Sequence, residues 1–180
     1  MAPAPQVGAT RIALAVAAMS SALLLAACEG KPHLDGSEMT DAETRTQVVD
    51  PAKRLVHAVD LQLRGADFRY ASCTDQGFAP FRGRVGMGFT FPAGVNHRTY
   101  VEQIVAAMQA DGWADESPKD KHHYGRTLHL GRVMAIVTPN PDHPDYGYVE
   151  ILGECRNAGD HRITKDRGAD EQDVRAELTR

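Results

Sequence analysis

The side chains able to do chemistry fall into a few groups: loop histidines, two glutamates, a face of small residues and three cysteines. His122 and His123 are adjacent in the polar stretch 115–125, and His129 follows. His143 stands in a loop with three prolines, between Asp142 and Asp145. If the two loops met, their imidazoles and carboxylates could hold zinc or a harder cation, which wants three ligands at set distances. Neighbouring side chains diverge on an extended backbone, so His122 and His123 do not readily share one ion. No HExxH and no spaced Cys/His module accompanies them. His122, His123 and His143 are therefore the metal candidates, and solvated loop histidines are the competing reading. Glu150 and Glu154 lie four residues apart in an expected strand, about 13 Å from each other on one face. That separation is too wide for the carboxylate pair of a glycosidase. No GxSxG elbow is present, and no serine of the expected domain stands in a motif with His and Asp.

A second group is structural in type but open to a binding role. The run RGRVGMGFTFP alternates. Val85, Met87, Phe89 and Phe91 share one face, and Gly86, Gly88 and Thr90 share the other. GRVGMG matches neither GxGxxG nor GxxxxGK[ST], and it lies inside a strand pattern, so it is not a phosphate loop. A bare face instead lets backbone, an aromatic ring or a ligand come close. Gly86, Gly88 and Thr90 are the candidate binding residues. No cofactor motif survives inspection.

The third group is Cys28, Cys73 and Cys155. Cys28 follows an apolar run, Ile12 to Ala27, preceded by the single charge of Arg11. A charged start, a short apolar core and small residues at its end describe a secretory signal peptide. The run is shorter than the roughly 20 residues of a bilayer-spanning helix. Its last residues, Leu25-Ala26-Ala27-Cys28, resemble the lipobox of bacterial lipoproteins. The resemblance implies a diacylglyceryl thioether on Cys28, cleavage before it, and often acylation (palmitate among the acids) of the new amino terminus. Two or three acyl chains hold a protein stably, whereas one alone is marginal. The implied location is the extracytoplasmic side of the cell membrane. In such an oxidising compartment Cys73 and Cys155 are expected to pair as a disulfide. A catalytic cysteine or a metal site is the alternative. With its Ala/Arg/Asp content, its helix-Gly112-Trp113-strand junction and this cysteine pair, the chain is similar to small actinobacterial lipoproteins of unknown function.

Removing residues 1–27 takes away Arg11 and no acid, so the remainder is one unit more negative than the −4 of the whole chain. No basic stripe exists to neutralise phosphates, which excludes nucleic acid as a partner. Four regions are expected: a leader over 1–27, a polar tether over 28–47, one domain over 48–156, and a charged, disordered tail over 157–180. Within the domain, Asp50-Pro51 reads as the start of a helix that Gly65 stops. Strands follow around 68–73 and 82–91. Asn96 caps a second helix that ends at Gly112. Further strands begin at Trp113, cover 126–138 with a bulge near Gly131, and cover 148–156. The order α-β-β-α-β-β-β, with hairpin-like links, predicts an α+β two-layer sandwich. Its sheet would have five mostly antiparallel strands, with both helices on one face. The functional reading is a lipid-anchored binding or scaffolding domain whose partner is an envelope protein or a lipid. The alternative is an envelope enzyme or metal-binding protein that uses the loop histidines.

Overall fold

A computed structural model describes residues 33–116, 125–139, 143, 145–161 and 171–180. Cys28, His122 and His123 lie outside the described residues.

The first helix, α1, spans Asp41–Val59 and starts well before the expected Asp50. Its real N-cap is Thr40. The Thr40 hydroxyl accepts from the Glu43 amide, and the Glu43 carboxylate accepts from the Thr40 amide at 2.8 Å. That reciprocal capping box satisfies two otherwise orphaned donors. Pro51 is inside the helix, where it has no N–H to offer the Gln47 carbonyl. The helix runs through it because Thr44, Val48, Ala52 and Leu55 bury one continuous stripe on both sides of the proline. Asp60, in the left-handed region at φ 47°, ends α1 before Gly65 is reached.

Seven strands follow: β1 Leu63–Ser72, β2 Phe81–Thr90, β3 Ala114–Asp115, β4 Arg126–Leu130, β5 Val133–Pro139, β6 Tyr146–Leu152 and β7 Gln172–Asp173. They form one sheet in the order β3-β4-β5-β6-β2-β1-β7, and each pairing is antiparallel. The α+β sandwich with an antiparallel sheet is borne out, with two strands more than expected. The stretch 126–138 is not one bulged strand. Gly131, at φ 62°, and Arg132 turn it into a β4–β5 hairpin. Helix α2 spans His97–Ala110, and Asn96 accepts from the Thr99 amide as its N-cap.

The core lies between the helices and one sheet face. Phe68, Val85, Met87, Phe89, Val137, Val149 and Ile151 are all fully buried there. Two glycines let α1 settle on the central strands. A Cβ on Gly83 would stand 2.6 Å from the Thr44 carbonyl oxygen, and one on Gly153 would stand 2.6 Å from the Gln47 side chain.

Both chain ends of the described unit are tied in. Cys73 and Cys155 are bonded, joining the chain just past β1 to the chain just past β6. The closed loop of 82 residues is worth about 4 kcal/mol in the chain-entropy view. Residues Asp35–Met39, read as tether in the sequence, form a strap along Cys155 and Arg156. The Asp35 amide donates to the Cys155 carbonyl at 3.1 Å, and the Met39 amide to the Arg156 carbonyl at 2.8 Å. The expected tail is also partly folded. β7 pairs with β1, and helix α3, Arg175–Leu178, follows it. Val174 and Leu178 are buried.

Helix α3 is held by Arg45 of α1, which donates to both oxygens of Glu177 at 2.9 and 2.6 Å. That hydrogen bonding keeps the Glu177 carboxyl below its ordinary 4.5. Such a group stabilises the fold above the unfolded value, and the gain is lost as pH falls through the folded one. The pair is about one-third exposed, so its worth is small. Glu177→Gln should cost about 0.5 kcal/mol at pH 7 in urea unfolding, and the cost should shrink as the pH falls below 4.5.

Candidate functional site

Helices cover one face of the sheet. On the other, the alternation of β2 places Arg82, Arg84, Gly86, Gly88 and Thr90 in a row opposite the buried Val85, Met87 and Phe89. The same alternation in β6 puts Tyr146, Tyr148 and Glu150 beside them, in the register Gly86↔Glu150, Gly88↔Tyr148 and Thr90↔Tyr146. From β1 comes Asp67, which pairs with Gly86. Three central strands thus converge on the positions of Gly86 and Gly88.

The two glycines have different surroundings. A Cβ on Gly86 would lie 2.1 Å from the Tyr148 hydroxyl and 2.8 Å from Asp67 Oδ1. That half of the face is filled by polar side chains of the protein itself. A Cβ on Gly88 would meet only the Gly65 carbonyl oxygen, at 4.0 Å. Here a depression stays open, floored by Gly65 and Gly88. Its rim carries Arg64, Asp67, Asp173 and Arg175. The register of β1 and β2 shifts between Leu63 and Gly65, and this irregularity sets Arg64 over the Tyr146 ring, 3.9 Å from its centroid. Thr90 is half-buried at the end of the row, opposite Tyr146. The rim is charged in both signs, so the depression suits a polar group better than an acyl chain.

Arg84 organises the filled half. Its side chain is only 13% exposed. Nε donates to Glu150, Nη1 to Asp67 Oδ2 at 3.1 Å and Nη2 to the Tyr148 hydroxyl at 2.6 Å. Burial works against the Arg84 charge. The Glu150 hydrogen bond, followed by the charges around it, outweighs burial and leaves the pKa raised. Burial also raises the Asp67 carboxyl above its ordinary 3.8, against the pull of Arg84. It raises the Tyr148 hydroxyl above its ordinary 10. The guanidinium has all three nitrogens engaged, and the phenol keeps its proton, so the cluster is fixed in place. Neither is a nucleophile.

The sequence brought forward Gly86, Gly88 and Thr90 and missed Arg84, Tyr148 and Asp67. Continuing the same alternation two residues back from Gly86 reaches Arg84, and two back from Glu150 reaches Tyr148. Asp67 needed the β1–β2 register. Glu150 and Glu154 do not share a face, contrary to expectation. Glu154 lies beyond β6 and is turned toward α1, where Gln47 Nε2 donates to it at 3.0 Å. His143 is exposed, 5.8 Å from the Tyr146 ring centroid, and His129 sits 3.1 Å from Glu116. Among the described residues, no group of three or more His, Cys, Asp or Glu is placed to hold a metal. A further histidine with defined partners is one the sequence did not single out. His161 stacks on Tyr70 at 3.5 Å, and its Nε2 lies 3.0 Å from Asn157 Oδ1.

A family model described as "Putative lipoprotein LppJ" matches residues 40–177. The chain belongs to the LppJ lipoprotein family. The match runs from the Thr40 cap to Glu177, so the LppJ unit includes both α1 and the docked C-terminal segment. A relative of that name in Mycobacterium bovis is 41% identical over 164 residues, covering 84% of this chain and 85% of its own. Relatives of the same name in two strains of Mycobacterium tuberculosis are 40% identical over the same shares. No solved structure matches. The LppJ name suggests membrane anchoring in the envelope and states no activity. Among the described residues no helix is long and apolar enough to cross a membrane.

Arg84 and Asp67 differ in what their loss should do. Arg84→Leu strands two half-buried carboxylates and should cost about 3 kcal/mol in denaturant unfolding at pH 7. Because the Asp67 pKa is raised on folding, its charge costs stability above pH 3.8. Asp67→Asn should therefore change stability by less than about 1 kcal/mol at pH 7. It should compare less well with the parent as the pH falls through the raised folded pKa toward 3.8, and level off below 3.8.

Proposed function

We propose that this protein is a lipid-anchored, extracytoplasmic binding or scaffolding domain of the cell envelope. Acyl chains on Cys28 hold it to the membrane, and the open face of the sheet receives a partner. The observation that carries the anchor is Leu25-Ala26-Ala27-Cys28, at the end of an apolar run in a chain of a lipoprotein family. The binding half of the reading is supported by the face itself. A seven-stranded sheet has its helices on one side, and the other side carries a fixed Arg84–Asp67–Glu150–Tyr148 cluster beside the depression at Gly88. The charged rim favours an envelope protein, or the polar end of a lipid, as the ligand.

The anchor is tested in the native envelope. Protein extracted from membranes should begin at Cys28 with a diacylglyceryl adduct by mass spectrometry. Cys28→Ala should leave an uncleaved precursor or release the chain. Unchanged mass and unchanged membrane fractionation of that variant would contradict the proposal. For the face, Gly88→Leu fills an open space and should preserve stability while lowering crosslinking to envelope partners. Equal crosslinking at equal stability would remove the depression from the account.

A further inference from the structure

We propose that the disulfide end of the domain faces the bilayer, and that the loop carrying Phe78 rests in the headgroup layer as a second membrane contact. This rests on the Cys28 anchor proposed above.

The first observation is where the strap begins. Asp35 is held to Cys155 at two points: its amide donates to the Cys155 carbonyl, and its carboxylate accepts from the Cys155 amide at 2.9 Å. Arg132 donates to the Asp35 carbonyl, and Arg156 Nε to the Ser37 carbonyl at 2.6 Å. Only Glu29 to Leu34 separate this fixed point from Cys28. Fully extended, that stretch reaches about 25 Å. A ten-residue strand such as β1 or β2 is itself about 33 Å long. A leash shorter than the strands keeps the end that carries Asp35 nearest the membrane.

The second observation is what that end displays. Phe78 is half exposed and is the one large apolar side chain so placed among the described residues. It stands in the β1–β2 connection, which leaves Cys73 and returns at Phe81, so disulfide, strap and Phe78 loop occupy one pole. The Phe78 backbone is fixed within the loop. The Ser72 hydroxyl donates to the Phe78 carbonyl at 2.6 Å, and the Phe78 amide donates to the Thr74 hydroxyl at 3.1 Å. With the Phe78 amide and carbonyl both met within the loop, the ring can enter the headgroup layer without these two groups losing hydrogen bonds. Asp75, exposed on the same loop, limits the contact to headgroup depth. At the opposite pole, the start of α2 exposes Arg98, far from any surface reached this way.

The acyl chains alone suffice for retention, so release is not the readout. The full lipidated protein is placed in phosphatidylglycerol/phosphatidylcholine vesicles with bromine on the upper acyl carbons, and indole quenching is measured. Buried Trp113 in the parent gives the baseline. Mass spectrometry of each sample verifies the adduct on Cys28. Phe78→Trp should lose about half its added emission, and Arg98→Trp almost none. Equal quenching at the two positions, or none at Phe78→Trp, in lipidated protein overturns the orientation and leaves the anchor standing. Absence of the adduct in protein from its own envelope overturns both.

Discussion

The Cys73–Cys155 bond and the strap laid beside it set the frame on which the rest of the domain is built. β1 and β6 are not neighbours, since β2 lies between them. The bond therefore ties the edges of a three-strand centre after both outer strands have ended. Asp35 pairs with the bonded Cys155, and Met39 with Arg156, which delivers the chain to Thr40 in place to cap α1. Asn157, only 2% exposed, completes the corner. Its amide donates to Asp41 Oδ1 at 2.7 Å, and its Oδ1 accepts from the Gly159 amide at 2.9 Å. Chain entry, the start of the first helix and the end of the last central strand are thus one hydrogen-bonded and covalent unit.

From that corner the two layers follow. α1 leaves it and lies across β2 and the end of β6, where Gly83 and Gly153 allow contact without a Cβ between. With α1 and α2 covering the Val85–Met87–Phe89 side, the alternate residues of β2 have to face outward. Arg84 in a central strand must then find acceptors on that side, and Asp67, Glu150 and Tyr148 supply them. Where no such chain of polar partners reaches, at Gly88, the face stays open. Buried side and candidate site are two consequences of one strand's period.

Elements with a local signature were legible in the sequence. The Asn96 cap, the stripe of α2, the alternation of β2 and the cysteine pair each depend on residues close together or on compartment. The start of α1 was legible too, because Thr40-x-x-Glu43 is a capping-box pattern. The polar composition around it and the proline at position 51 point instead to a later start. The Gly131 hairpin was hidden because both strands carry apolar residues up to the turn, so the change of face looked like a bulge. The C-terminal segment was not legible. Among its described residues the apolar side chains it buries are Val174 and Leu178, too few for a period, and it docks through Arg45, 132 residues away from Glu177. The Arg84 cluster lay between these cases: the faces were readable, but the strand order that brings Asp67 to Arg84 was not.

The central claim is that the strap is part of the folded domain, so that the chain leaves toward Cys28 from the disulfide corner. Amide hydrogen exchange on the oxidised protein tests it directly. The amides of Asp35, Met39 and Cys155 should exchange far more slowly than an unstructured peptide. On reduction they should lose protection before the β2–β6 ladder does. Exchange of Asp35 and Met39 at free-peptide rates in the oxidised protein would contradict the account, because the chain before Thr40 would then be a loose tether with no fixed point of departure.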